Sequence, residues 1–299
     1  MLENEEKDKL CLEKYKELDD YPTMIDWVDH WAKEKSDELA LIEYNTGEEV
    51  TWKEFKKMTK VFAAKLLDMG IEKGDVVATT LVLLKEHVYL IYACYRIGAI
   101  VAPLDPRLKE REIEKCFEQM QPKAYFSLGK TEVNDFRVNI KAMIEKFGAE
   151  NGGPCKYFIQ FDEEPEGVVD GAIHISAFAE ELKKAYIKSM LTFHFKLRSA
   201  QKMVERRDPI LIIFTTGSTG SPKPALLCSE NILIQNIGLA VGFEIREGER
   251  MLINLPPSHV GCITEQLGTT IYGGGTSVLL HLFKPDDSLD AIQKYNVNI

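Results

Sequence analysis

The chain has 299 residues, of which 45% are hydrophobic and 28% charged, enough for one large α/β unit or about two domains and too apolar for wholesale disorder. Its 37 Lys and Arg against 47 Asp and Glu leave a formal charge of −10, which argues against a general nucleic-acid binder. The six cysteines, at 11, 94, 116, 155, 228 and 262, form no CxxC pair and read as reduced, buried thiols rather than a disulfide framework.

The opening MLENEEKDKL is charged and has no apolar h-region, so no secretory signal is read there, and residues 1–22 are expected to be a polar peripheral segment. The longest apolar stretch, 75–103, is interrupted by Lys85, Glu86, His87 and Arg96 and suits strand, turn and helix better than a span of about 20 apolar residues. A cytosolic chain is expected. Met24, Ile25, Val28 and Trp31 recur at helical spacing, Leu39 to Tyr44 reads as a strand, and TGEE (46–49) as its hairpin turn. Thr51 opens a helix with Glu54 in a capping-box position, Phe55, Met58, Val61, Phe62, Ala64, Leu66 and Leu67 form its buried stripe, and Gly70 stops it.

Strands are then predicted at 76–83, 99–104 and 123–128, separated by helices at about 86–97 and 109–119, the alternation of a parallel sheet covered by helices. Another strand follows at 156–161, and a second α/β set begins with the apolar strand 210–214, a Gly/Ser/Thr loop, and a helix at about 229–241. Buried strands at 251–255 and 276–280 complete the set, and Gly273 to Gly275 read as a structural turn. Between Leu182 and Arg207, eight cations face one acid, Glu205, and apolar residues from Leu182 to Val204 step by threes and fours. That predicts an amphipathic helix. Its basic face is either simply solvated or a contact for a membrane surface or a phosphate-bearing ligand.

The chemistry concentrates in Thr215-Thr216-Gly217-Ser218-Thr219-Gly220-Ser221-Pro222-Lys223, delivered by the strand before it. Glycines let backbone N–H groups approach an anion, hydroxyls at 215, 216, 218 and 219 can donate to phosphate oxygens, and Lys223 adds a mobile positive charge. The following helix is expected to turn its N-terminus toward the same place, and Pro222 to stiffen the exit. A Walker A loop is excluded, because Pro222 precedes and Pro224 follows the lysine. No G-x-G-x-x-G follows a strand, which disfavours a dinucleotide dehydrogenase.

The loop resembles the phosphate-binding signature of the adenylate-forming (AMP-binding) superfamily, which includes acyl-CoA synthetases, amino-acid adenylation domains and luciferases. Residues 51–77, ACYRIGAIVAPLDPRLKEREI (93–113) and NLPPSHVGCI (254–263) resemble further family segments in order, so the likeness covers the chain from about residue 20 onward. Two departures stand out. Pro224 replaces the family's glycine after the lysine, which would stiffen or displace the loop's end, and Cys228-Ser229 replaces its Thr-His pair, while Asn231 is retained.

The resemblance implies an α/β fold with parallel-rich sheets flanked by helices, in two similar subdomains. One would comprise about 75–200 with the phosphate loop 210–224, the other about 23–74 with 240–299, its sheet incomplete. It also implies ATP-dependent activation of a carboxylic acid, fatty acids foremost, to an acyl-adenylate and then an acyl-CoA, with Mg²⁺ and with CoA as co-substrate. Thr215, Thr216, Gly217, Ser218, Thr219, Gly220 and Lys223 would hold the nucleotide. His259 would border the acyl pocket and the α-phosphate, and the stretch from Cys262 to Leu267 would begin a helix along the acyl tunnel. Taken without the resemblance, a histidine beside a Pro-Pro turn is more often a satisfied structural residue. The Mg²⁺- and ribose-binding segments and the C-terminal lysine of the family have no counterpart before Ile299, so these 299 residues are expected to be an N-terminal portion unable to complete adenylation alone. Two other readings stay open: an amino-acid, aryl-acid or luciferase-like adenylating enzyme, and a catalytically incomplete nucleotide-binding module.

Overall fold

A computed structural model describes the chain except residues 1–2, 132–133, 163–164, 189–193 and 217–221, and except the side chains of residues 183, 186, 194 and 216. The N-terminal segment forms helix α1 (Asn4–Lys16), which buries none of its residues and lies against a later helix. Leu18, just beyond it, is buried. Helix α2 (Met24–Glu34) starts at Thr23, whose hydroxyl accepts the Asp26 amide while Asp26 reaches back to the Thr23 amide, so two orphan donors are satisfied reciprocally. Met24, Ile25, Trp27 and Val28 are its buried residues.

Strands β1 (Leu39–Glu43) and β2 (Glu49–Thr51) pair antiparallel, and helix α3 (Trp52–Asp68) follows with Thr51 Oγ1 accepting the Glu54 amide at 3.2 Å. Then come β3 (Val76–Thr80), α4 (Lys85–Ile97), β4 (Ile100–Pro103), α5 (Glu110–Met120) and β5 (Ala124–Leu128). Helix α6 (Arg137–Phe147), β6 (Tyr157–Phe161), the short β7 (Ile173–His174), α7 (Ile175–Lys188) and α8 (His194–Lys202) continue that unit. The expected helix through 182–207 is therefore carried by α7 and α8, with 189–193 outside the described residues. Helix α8 ends before Val204.

The apolar run 210–214 lies in β8 (Pro209–Thr216). It pairs antiparallel with β9 (Pro222–Cys228), which leads into α9 (Ser229–Gly242). The remaining elements are β10 (Arg250–Ile253), a π-helical turn at Gly261–Leu267, α10 (Gly268–Tyr272), β11 (Thr276–Leu279) and α11 (Pro285–Lys294).

The strands form two sheets. One has seven strands in the order β7-β6-β5-β3-β4-β8-β9, all parallel except the β8–β9 hairpin; the other has four in the order β10-β11-β1-β2, antiparallel only at β1–β2. Helix α4 packs on the face of the large sheet that carries Val77 and Val101, and α5 on the face that carries Ala78 and Ala102. Strands β3 and β4 thus send their connections to opposite faces, the arrangement that opens a crevice at the carboxyl ends of such strands. The largest apolar cluster runs from Leu41 and Leu279 through Phe55 and Phe62 of α3 to Val77 and Phe126, so one core joins both sheets.

Candidate active site

Strand β8 explains itself residue by residue. Ile210, Leu211, Ile212 and Ile213 are buried, as a strand covered on both faces requires, whereas Thr215 is exposed. The chain therefore leaves the core where its hydroxyls begin, at the carboxyl end of a strand parallel to β4. Thr215 and Lys223 are cross-strand partners in the β8–β9 register, and Thr215 Oγ1 donates to the Lys223 carbonyl at 3.3 Å. Lys223 is exposed. Gly217, Ser218, Thr219 and Gly220, together with the side chain of Thr216, lie outside the described residues.

Two expectations about this loop are corrected. The loop is not followed directly by a helix: β9 intervenes, and Cys228 pairs with Pro209 at the far end of the hairpin from Thr216 and Pro222. Seven strand residues at roughly 3.3 Å each carry the N-terminus of α9 about 20 Å away, so its dipole is not aimed at the loop. Pro224 does not end the loop either, but sits inside β9 opposite Phe214. β9 is the sheet's edge strand, and Pro222 and Pro224, two residues apart, lack N–H groups on the same side, the open one, where no ladder bond is lost.

Asn231 has a local role. Its Oδ1 accepts the Cys228 amide at 3.2 Å and the Cys228 thiol at 3.0 Å, capping α9.

His259 lies on the other sheet, in the loop after β10. Its amide donates to the Pro256 carbonyl at 2.9 Å, and its Nδ1 accepts the Gly261 amide at 3.0 Å. With Nδ1 occupied as an acceptor, the neutral ring carries its proton on Nε2, which is left to donate to a ligand. The ring is exposed, and among the described residues no hydrogen bond or ion pair joins it to Thr215 or Lys223.

What fixes this loop is Gln266, which sequence reasoning missed. Its Oε1 accepts the Asn254 and Leu255 amides at 3.3 Å each, and its Nε2 donates to Asn254 Oδ1 at 3.0 Å. Gln266 belongs to the π-helical turn that stands where a helix was expected after Cys262. Such turns recur at functional sites because they re-aim side chains. Buried Asn236 of α9 holds the turn by donating to the Thr264 carbonyl and to Thr269 Oγ1. A lone Gln or Asn in an apolar helix carries no sequence signal of this kind.

The model of the family described as AMP-binding enzyme matches residues 28–299. This chain belongs to that family. Among curated relatives it is 23% identical over 273 residues to the long-chain-fatty-acid–CoA ligase of Salmonella typhimurium, covering 88% of this chain and 47% of the relative. It is also 23% identical over 277 residues to the indoleacetate–CoA ligase of Aromatoleum aromaticum, covering 92% and 48%. The chain spans about half the length of the curated relatives it matches. In three dimensions it resembles the N-terminal domain of FACL13 from Mycobacterium tuberculosis, with a TM-score of 0.71, 21% identity, and coverage of 92% of this chain and 61% of that one. The fold is thus shared with that N-terminal domain.

For a member of this family a Mg²⁺ ion is implied. Among the described residues, no group of three or more His, Cys, Asp or Glu is placed to hold a metal ion. The four thiols at Cys94, Cys116, Cys155 and Cys262 are buried, and burial pushes Cys116 and Cys155 up to about 12. Cys262, adjacent to the His259 loop, is shifted upward for the same reason and is no nucleophile at neutral pH.

Proposed function

We propose that this chain supplies the triphosphate- and carboxylate-binding part of an ATP-dependent acid–thiol ligase, with a fatty acid as the carboxylic acid. In the reaction a carboxylate oxygen attacks the α-phosphorus of ATP and the bond to the pyrophosphate breaks. The CoA thiol, losing its proton, then attacks the acyl carbon of the acyl-adenylate and AMP departs. Little covalent help is needed from protein; the barrier falls when charge on the departing pyrophosphate is neutralised by donors already in place. Thr215, Thr216, Ser218, Thr219 and Lys223, with the backbone at Gly217 and Gly220, are the residues for that task. His259 Nε2 is the donor for the carboxylate or the α-phosphate.

The observation that carries this reading is the pairing of Thr215 with Lys223 where β8 leaves the core, inside the family match. The name of the Salmonella relative supports the fatty acid. Calorimetric titration of the chain with ATP is expected to give saturable binding that Lys223→Ala weakens by roughly tenfold, as the loss of one charge-assisted contact predicts. ATP affinity indifferent to Lys223→Ala would sink the assignment. Long-chain fatty acids, and not aryl acids, are expected to raise the melting temperature further in the presence of ATP.

A further inference from the structure

A cavity of about 360 Å³ lies between the start of α2, the end of α4, and α8. Gly98 turns α4 into the start of β4, so this cavity sits at the amino ends of the parallel strands, opposite to the β8–β9 turn. Its lining includes Thr23, Tyr95, Arg96, Arg198, Gln201 and Lys202, and one carboxylate, Asp26.

The charge balance there is uneven. Asp26 is committed to Thr23, accepting its amide at 2.9 Å and its hydroxyl at 2.6 Å. Arg96, fully buried, forks onto Asp29 at 3.0 and 3.2 Å and donates to Gln201 Oε1 and Thr59 Oγ1. Asp29 is shared in turn with Lys56 at 3.6 Å, and Lys60 faces the same cluster. Arg198 and Lys202, one turn apart on α8, meet no carboxylate within ion-pair distance among the described residues. Three other cations of the basic segment do have such partners: Lys188 pairs with Asp68, and Arg206 and Arg207 with Glu230. Two buried donors of lining residues, the Tyr95 hydroxyl and Arg96 Nε, also lack a hydrogen-bond partner among the described residues.

We infer that this cavity binds a phosphate monoester, with Arg198 and Lys202 closing over it from α8 and Tyr95 and Arg96 on its buried side. A guanidinium fork and an ammonium match a tetrahedral dianion better than a single carboxylate. The volume exceeds what bare phosphate fills and leaves room for the esterified group. That group belongs either to a soluble metabolite or to a lipid headgroup. The exposure of Phe195 (85%) on α8 and of Met203 (63%) just after it would seat α8 on an acyl surface in the second case.

The test titrates the chain with glycerol 3-phosphate by calorimetry in a Lys223→Ala background, which removes the β9 lysine paired with Thr215 from the signal. Saturable one-to-one binding is expected, weakened about tenfold or more in Arg198→Ala/Lys202→Ala. Both side chains are exposed on α8, and an unchanged melting temperature of the double variant checks that the fold is kept. In parallel, the chain is co-sedimented with phosphatidylcholine vesicles with and without phosphatidic acid. Sedimentation that requires phosphatidic acid and that glycerol 3-phosphate reverses identifies a headgroup; soluble binding without sedimentation identifies a metabolite. Either supports the site. Absence of binding in both arms, or binding that the double variant leaves unchanged, overturns it.

Discussion

His87 and Glu43 show how single buried groups give this fold its acid sensitivity. His87 is fully buried, and burial pushes its imidazole down to about 4, against a smaller opposing effect of its Nδ1–H donating to the Val82 carbonyl at 3.1 Å. Thr79 Oγ1 meets Nε2 at 2.9 Å and so fills the other ring position of the neutral form. The unfolded chain takes up a proton near pH 6.5 and the folded one only near 4. The stability from neutral His87 is therefore complete above pH 6.5 and lost as pH falls toward 4. Glu43 behaves as a depressed acid. Burial would raise its pKa, but hydrogen bonds from His281, Thr46 and the Lys85 amide, with the Lys85 charge, outweigh burial and bring it to about 2. Its contribution is complete above about pH 4.5 and disappears toward 2. Each linkage amounts to roughly 3 kcal/mol at most. Urea midpoints followed against pH should lose their slope between 6.5 and 4 in His87→Asn, and between 4.5 and 2 in Glu43→Gln. A slope that survives its own substitution would refute the assignment.

At the scale of elements, two glycine turns fix how helices hand over to strands. Gly98, at φ +72°, ends α4, and a Cβ there would lie 2.9 Å from Lys73 Cγ and 3.2 Å from Val204. Gly274, at φ +64° before β11, would place a Cβ 2.7 Å from the Trp31 ring. The left-handed backbone alone costs an L-residue about 1–2 kcal/mol. Lys73 is flexible and can move aside; the indole ring cannot. Gly98→Ala is expected to lose about 1–2 kcal/mol in urea unfolding and Gly274→Ala distinctly more, and the reverse order would show the Trp31 contact to be slack. The glycine stops and most helices were legible in sequence from periodicity. Strand β9 was not, because PKPALLC has two prolines and no alternation, and only its position at the sheet edge makes those prolines harmless. Helices α6 and α11 also passed unread among charged residues. The strand expected to reach residue 83 stops at Thr80, whose hydroxyl donates to Ser127 Oγ at 2.7 Å and lies 2.8 Å from the Tyr125 hydroxyl.

Across the whole molecule, one continuous apolar cluster joins the two sheets, which predicts that they unfold together. Cys94 on α4 and Cys262 beside the small sheet both belong to that cluster, while Cys116 and Cys155 belong to the cluster under α5 and α6. Cys11 and Cys228 are only half-buried. A thiol reagent should therefore label Cys11 and Cys228 in the native chain. The four buried thiols should become reactive at one common urea concentration, and labelling of Cys262 well before Cys94 would show that the sheets separate first.

The α/β class, the parallel core strands and the hydroxyl-rich loop ending in Lys223 are legible in the order of amino acids alone. These depend on local periodicity and on residue types set close together along the chain. Folding in three dimensions is what sets Thr215 opposite Lys223, anchors the His259 loop on Gln266, and brings Arg198 and Lys202 to a cavity with Tyr95 and Arg96. The cavity unites residues far apart in the chain, and the other two depend on a π-helical turn and on a strand's place at the edge of its sheet. Burial and pairing at such places are fixed by which surfaces meet, a property that no local pattern of residues encodes.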